Sequence, residues 1–254
     1  MLKKYFFFDI DGTLAPDGTL CLPESTARCL QKLRENGHFT GIATGRLQCN
    51  ALNFARKHGF EAVVADGGHS ASLRGRLLFM EGLPLYQCAK LAQQLDTLGI
   101  PWAVTAKNEV VRLTRDARFE QAVGDGYFET KIVPDLNVKT LSAAYKMFLA
   151  CNSEQQKTVD FYGLPTVRFS EKCLFIEPTD KARGIRRVMD VLCAPCRDVV
   201  VFGDGTNDQK MFDPAWFSIA MGNAREVLKQ KADYVTGDCD KDGIWDACRH
   251  FGWI

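Results

Sequence analysis

Asp9-Ile10-Asp11-Gly12-Thr13, Thr44-Gly45-Arg46, Lys181 and Gly203-Asp204-Gly205-Thr206-Asn207-Asp208 bring acidic, hydroxyl, amide and cationic groups to four points of the chain. Asp9 and Asp11 are two apart, so on extended backbone both side chains leave the same side of the strand. One is then placed to hold a metal while its neighbour handles a proton. With Asp204 and Asp208 they would put four carboxylates into one cleft. Like charges at that range are costly unless a cation or protons intervene, and an all-oxygen donor set suits a hard divalent ion such as Mg²⁺. Thr44 and the amides that follow it, beginning with Gly45, offer a hydroxyl and N–H donors where a helix starts, an arrangement suited to an anionic phosphate. Lys181 opens a later helix and adds a compact positive charge. Carboxylates, a hard cation, anion donors and a lysine together describe phosphoryl transfer, in which a carboxylate can be the nucleophile and form an aspartyl-phosphate.

Such groups must be positioned by regular elements, and the hydrophobic pattern supplies them. Tyr5 to Phe8 reads as a fully apolar strand, followed by a helix with Ala27, Leu30 and Leu33 on one face and a stop at Gly37. Phe39 to Ala43 is a second strand, Leu47 to His58 a helix stopped by Gly59, and Ala62 to Ala65 a third strand. Beyond Lys181 the same alternation returns: helix to Leu192, strand Asp198 to Phe202, helix around Gln209, strand Phe217 to Met221, helix Ala224 to Lys231 and a short strand Tyr234 to Thr236. Alternation of this kind predicts an α/β fold, a Rossmann-like doubly wound parallel sheet covered on both faces. In such a sheet the functional groups collect beyond the carboxyl ends of the strands, where the acidic motifs fall.

Residues 80–178 read differently. Pro84 to Leu98 is helical, Trp102 to Thr105 and Glu109 to Leu113 form a hairpin around Lys107-Asn108, Tyr145 to Ala150 is a strand, and Ser153 to Tyr162 a helix. Thr166 to Phe169 pairs with Cys173 to Ile176 as a second hairpin. An inserted α+β unit is therefore expected between two parts of a core domain, 1–79 and 179–254.

Composition narrows the class. The 254 residues are 46% hydrophobic and 25% charged, with 32 Lys plus Arg against 31 Asp plus Glu, an ordinary globular balance that gives no basic face or run for nucleic acid or an anionic membrane. The apolar run at Tyr5 to Phe8 is too short for a signal peptide or a bilayer span, which points to a cytoplasmic protein. Ten scattered cysteines in a chain of this size read as free thiols, and Cys193 with Cys196 lacks the second pair that a four-ligand zinc site needs.

In order, Asp9-Ile10-Asp11-Gly12-Thr13, Ala43-Thr44-Gly45-Arg46, Lys181 and Gly203 to Asp208 resemble the four motifs of the haloacid dehalogenase superfamily of phosphatases. The later Ala220-Met221-Gly222-Asn223-Ala224 and Ala232-Asp233-Tyr234-Val235-Thr236 segments are similar to its Cof-type sugar-phosphatase branch, with the middle unit in the place of the large α+β cap. The resemblance implies that Asp9 is nucleophile and Mg²⁺ ligand, and that Asp11 is general acid and then base, its backbone carbonyl also on the metal. It further implies that Asp204 completes the protein ligands, that Asp208 supports the metal from behind or through water, and that Thr44, Lys181 and Asn207 bind the transferring phosphoryl group. The implied substrate is a small phosphorylated metabolite, a sugar phosphate or similar polyol phosphate, selected by the cap. Two departures bear on the neighbouring loop: Asp66-Gly67-Gly68-His69 stands where the family has an Asn-Gly-Ala-like segment, and Ala182 rather than Gly follows Lys181.

Other uses of the same groups stay open at this level. A phosphomutase shares the covalent intermediate and differs in the acceptor, and a receiver module accepts phosphate on Asp as a switch, although it needs neither an insertion of domain size nor a base such as Asp11. Arg46 either bridges to an acidic residue or is solvated at a helix start. His69 is a turn histidine or a substrate contact, and Trp102, Tyr127 and Phe128 are core aromatics or pocket lining.

Overall fold

The computed structural model describes residues 2–16, 18–19, 21–124 and 126–254. In chain order the strands and helices are β1 (Tyr5–Phe8), α1 (Glu24–Glu35), β2 (Phe39–Ala43), α2 (Gln48–His58), β3 (Ala62–Ala65), β4 (Ser70–Leu73) and β5 (Arg76–Met80). There follow α3 (Leu85–Leu98), β6 (Trp102–Thr105), β7 (Val111–Thr114), α4 (Arg118–Val123), β8 (Glu129–Ile132), β9 (Lys146–Leu149), α5 (Ser153–Gln156), β10 (Thr166–Arg168) and β11 (Leu174–Ile176). The chain ends with α6 (Lys181–Val191), β12 (Val199–Gly203), β13 (Phe217–Ala220), α7 (Glu226–Lys229), β14 (Tyr234–Val235) and α8 (Gly243–His250). It divides into two compact units, Met1–Phe79 with Thr179–Ile254, and Met80–Pro178.

The first unit is built on an eight-stranded sheet of order β14-β13-β12-β1-β2-β3-β4-β5. Pairing is parallel from β14 to β3, and β4 then turns back antiparallel on β3. β1 lies inside this sheet between β12 and β2, and Phe6, Phe7 and Phe8 are fully buried. A central parallel strand packs both faces, which is why its sequence is an unbroken apolar run rather than an alternating one. Phe8 stacks on Phe202 of β12 with ring centroids 4.9 Å apart, joining the two stretches of chain that make the unit. α1 buries Thr26, Cys29, Leu30 and Leu33, the i, i+3, i+4, i+7 stripe of an amphipathic helix, and leaves Ala27 exposed. The buried stripe therefore passes through Thr26 and Cys29 rather than the expected Ala27.

One more expectation for this unit needs correction. No helix surrounds Gln209: a single 3₁₀ turn, Thr206–Asp208, follows β12, capped by the Asp208 side chain on the N–H groups of Asp204 and Gly205, and the chain soon reaches Pro214, which has no N–H to continue a helical ladder. The strands β4 and β5 extend the sheet in a stretch to which the sequence pattern assigned no element, and the same holds for α8, whose Ile244, Ala247 and Cys248 join the core.

The second unit has a six-stranded sheet of order β10-β11-β9-β6-β7-β8, antiparallel except for the β7–β8 pair. Both expected hairpins are present, β6 with β7 and β10 with β11. The parallel partner β8, reached through α4, was not expected, and the helix after Asn152 stops at Gln156 instead of running to Tyr162. α3 packs Cys88, Leu91, Ala92 and Leu95 against Trp102, Val104, Met147 and Leu149. On Arg112, fully buried, the guanidinium lies 4.8 to 5.5 Å from the rings of Phe119, Phe128 and Phe148 while Nε donates to Thr130 Oγ1 (2.8 Å). Trp102 and Phe128 are thus core aromatics, and Tyr127 is exposed.

The loop after β3 is anchored to the start of α6. Asp180 N–H donates to the Gly67 carbonyl (2.8 Å), and Gly68, at φ +97°, lies so close that a Cβ there would strike the Asp180 carbonyl oxygen. Gly184, one turn along α6, also leaves no room for a Cβ, which would meet the Val64 side chain, so the helix is pressed on the sheet through Gly68 and Gly184 while Ala182 is accommodated. Gly68→Ala adds a disfavoured backbone conformation to a backbone collision. It is expected to lower the unfolding free energy by about 2–4 kcal/mol, read as a fall in the urea midpoint at unchanged slope; a change under ~0.5 kcal/mol would contradict this packing.

Candidate active site

The acidic motifs end up where chain direction takes them, at the carboxyl ends of β1 and β12. Asp9 N–H still donates to the Phe202 carbonyl (3.0 Å), so the β1–β12 pairing runs on to the first aspartate and fixes its backbone. The chain then turns: Gly12 N–H donates to the Ala15 carbonyl (2.8 Å), and the Gly12 carbonyl accepts from Asn223 Nδ2 (2.7 Å). At φ +80° and with Asp204 directly against it, position 12 admits no Cβ.

Lys181, the first residue of α6, is 1% exposed, and its Nζ donates to Asp9 Oδ1 (2.7 Å) and to Asp208 Oδ1 (2.5 Å). Asp208 spends its other oxygen on the backbone, accepting from Asp204 N–H (3.0 Å) and Gly205 N–H (2.9 Å). Asp204 Oδ1 accepts from the Thr13 hydroxyl (2.7 Å). Carboxylate oxygens of Asp9, Asp204 and Asp208 all lie within 4.8 Å of one another.

One ammonium among three carboxylates leaves an excess of negative charge in a buried place. Burial raises the Asp9 carboxyl well above the ordinary aspartate range, and Asp208 and Asp204 add to this while Lys181 opposes it. On Lys181 burial acts downward, but Asp208 and Asp9 outweigh it and hold the ammonium above its usual value. The donor set, three carboxylates close enough to share one ion, fits a hard divalent cation, which would supply the missing positive charge.

Asp11 does not join this cluster through its carboxylate. Instead, Arg46 grips it with a two-point fork, Nε to Oδ2 at 2.9 Å and Nη2 to Oδ1 at 2.5 Å. Asp9 and Asp11, expected to leave one side of a strand together, have different surroundings because β1 ends at Phe8 and the chain turns at Ile10, whose carbonyl accepts from Leu14 N–H and Ala15 N–H, before Asp11 is reached. Of the two uses open to Arg46, the structure has the bridge to an acidic residue.

The turn after β2 falls where expected, and α2 begins at Gln48, one residue after the expected Leu47; Gln48 N–H, in its first turn, donates to Asp66 Oδ2 (3.2 Å). Asp66 thus already supplies an anion there. Asp66 Oδ2 also accepts from the Ser70 hydroxyl (2.5 Å), and Asp66 N–H donates to the Arg46 carbonyl (2.9 Å), so this buried residue ties the loops after β2 and β3 together. Thr44 is buried, its Oγ1 accepts from Arg46 N–H (3.2 Å), and its hydroxyl proton is left to donate. Gly45 lies between them in the turn. Asn207 is half-buried, with its amide oxygen against Gly205.

Asp9, Lys181, Asp204 and Asp208 are therefore one cluster, Asp11 and Thr44 are joined through Arg46, and Asn207 is next to Asp208. Thr13, Asp66 and Asn223 had no assigned part in the sequence pattern. The available signal was a polar side chain at the end of an apolar strand; each binds loop to loop.

The chain matches the family model for haloacid dehalogenase-like hydrolases over residues 6–248. It is 36% identical to a 5-amino-6-(5-phospho-D-ribitylamino)uracil phosphatase of Bacillus subtilis over 258 residues, covering 99% of this chain and 96% of that one. A Streptococcus pyogenes bifunctional phosphatase/peptidyl-prolyl cis-trans isomerase is 29% identical over 99% of this chain, which spans 54% of that longer protein. Among solved structures, a sugar phosphatase of haloacid dehalogenase subclass IIB superposes with a TM-score of 0.81 at 25% identity, covering 99% of this chain and 100% of the other. A match over almost the whole chain, on a fold that carries the aspartate cluster at its strand ends, shows that the protein belongs to the haloacid dehalogenase-like hydrolases, an enzyme of their phosphatase and phosphotransferase group.

Proposed function

We propose that the protein is a Mg²⁺-dependent phosphomonoester hydrolase working through an aspartyl-phosphate. The observation that carries this is Lys181, buried between Asp9 and Asp208 with the Asp204 carboxylate alongside. In the first step Asp9 attacks phosphorus, the bond to the leaving oxygen breaks, and Asp11 gives that oxygen a proton. In the second, Asp11 takes a proton from water as the water oxygen bonds phosphorus and the Asp9–phosphorus bond breaks. Asp9, Asp204 and the Asp11 backbone carbonyl would hold Mg²⁺, with Asp208 supporting. When bound, the ion offsets the charge of a phosphate dianion approaching an anionic aspartate. Lys181, the Thr44 hydroxyl, the turn at Gly45 and Asn207 would hold the transferring phosphoryl group.

The substrate we propose is a small sugar or polyol phosphate. Two relatives support this: one is named for a phosphoribityl compound and one for sugar phosphates. Residues 80–178 would select among such compounds, acting as a cap domain.

Two outcomes are expected. Phosphate release from a panel of sugar phosphates, polyol phosphates, nucleotides and 4-nitrophenyl phosphate requires Mg²⁺, is abolished by EDTA, and falls at least ~1000-fold in Asp9→Asn, which keeps the fold but loses the nucleophile. Transfer of phosphate to a second sugar with none set free would reassign the enzyme as a phosphomutase. Separately, Mg²⁺ at about 100 times its Kd is expected to add roughly 2.7 kcal/mol to stability, a Tm rise of several degrees. Without metal, the folded chain holds the Asp9 proton more tightly than the unfolded chain, so this contribution to stability is present at low pH and is lost as pH climbs above the ordinary aspartate value. Mg²⁺ needs Asp9 ionised, so its Tm effect grows as pH rises; a Tm shift that is constant from pH 4.5 to 8 would count against Asp9 as a ligand.

A further inference from the structure

Arg46 joins two parts of the site that the sequence keeps 35 residues apart. Its backbone belongs to the turn after β2, where its N–H donates to Thr44 Oγ1 (3.2 Å) and its carbonyl accepts from Asp66 N–H (2.9 Å). Its guanidinium lies 5.8 Å from the Phe54 ring centroid and forks onto both oxygens of Asp11. The Arg46 side chain is 14% exposed and that of Asp11 is 43% exposed. A half-exposed ion pair contributes little to stability, whereas a planar two-point fork fixes the plane of a carboxylate as a single lysine contact cannot.

We infer that Arg46 is the positioning residue for Asp11. It sets the carboxyl group at a fixed place relative to the turn that carries Thr44, so that the proton donor stands in register with the phosphoryl group. This rests on the phosphohydrolase reading above. In the first half-reaction the Asp9–phosphorus bond forms, the phosphorus–alkoxide bond breaks, and the Asp11 proton passes to the departing oxygen. In the second, a water oxygen bonds phosphorus, its proton goes to Asp11, and the Asp9–phosphorus bond breaks. Each carboxylate oxygen has two lone pairs and the fork engages one on each, so a site for the travelling proton remains throughout.

The test compares kcat/KM, which reports formation of the aspartyl-phosphate, for two leaving groups. An alkoxide needs a proton as it leaves; 4-nitrophenolate does not. For Arg46→Ala, kcat/KM is expected to fall roughly 100-fold on the best alkyl phosphate of the panel and about threefold or less on 4-nitrophenyl phosphate. Asp11→Asn should show the same split, Arg46→Lys should recover only part of the loss, and the Asp11→Asn/Arg46→Ala double variant should be no slower than Asp11→Asn alone. Arg46→Gln, which keeps most of the side-chain volume, gives the same comparison if Arg46→Ala fails to fold. Equal losses on both phosphates, or losses that multiply in the double variant, would overturn the assignment and leave the phosphatase reading intact. Wild-type turnover that survives Asp9→Asn would instead bring down that reading.

Discussion

Lys181 stands within hydrogen-bond reach of Asp9, 172 residues before it, and of Asp208, 27 residues after it, in a place almost closed to water. Two carboxylates and an ammonium so buried are costly to desolvate, and their mutual attraction repays that cost only when the geometry is good and the remaining lone pairs are used. Here they are used. Asp208 turns its second oxygen to two backbone amides of its own loop, so the residue that neutralises Lys181 also shapes the segment carrying Asp204. Removing the lysine would leave two buried carboxylates and a half-buried third without its ammonium, and the loops that present them would repel one another.

That convergence needs stiff supports on each side. β1 provides one, pinned by parallel neighbours and by the stack of Phe8 on Phe202, and it delivers Asp9 with its backbone still in the sheet. α6 provides the other. Its first residue can reach Asp9 only because the helix presses on the sheet at Gly68 and Gly184, where no side chain fits. Asp66 completes the frame by joining the loops after β2 and β3. Packing in the interior thus fixes where the charges stand, and the charges fix how the loops close.

Much of this was legible from residue types. The fully apolar Tyr5 to Phe8 run required a strand buried on both faces, and the acidic residues following it and following Phe202 had to fall at one end of a parallel sheet. What the pattern did not disclose were features decided by single side chains. Nothing in Asp9-Ile10-Asp11 says that the second aspartate turns aside to an arginine, because the turn closes on the Ile10 carbonyl through Leu14 and Ala15 N–H and the arginine comes from a loop 35 residues away. The helix expected around Gln209 gave way to one capped 3₁₀ turn ahead of Pro214. Likewise the start of α2 was legible to within one residue, but not that its first donor is satisfied by Asp66, eighteen residues further on. β4, β5 and α8 carry no chemistry-bearing motif, and their short apolar stretches lacked a period long enough to separate them from loop.

The separation of Asp9 from Asp11 has its own consequence. Two carboxylates of one motif, alike in isolation, meet opposite surroundings: Asp9 has 6% of its side chain exposed and Lys181 at its oxygen, while Asp11 is 43% exposed in the grip of Arg46. A group that is to form a bond to phosphorus needs to be dry, fixed and beside cationic charge, because water would solvate the nucleophile and compete for the intermediate. A group that is to exchange a proton with a departing alcohol and then with water needs an open edge. Placing both on one side of a strand would have forced them into a common environment and a shared proton. The turn that starts at Ile10 prevents this, so leaving the strand between them lets two aspartates two residues apart take different parts in the proposed reaction.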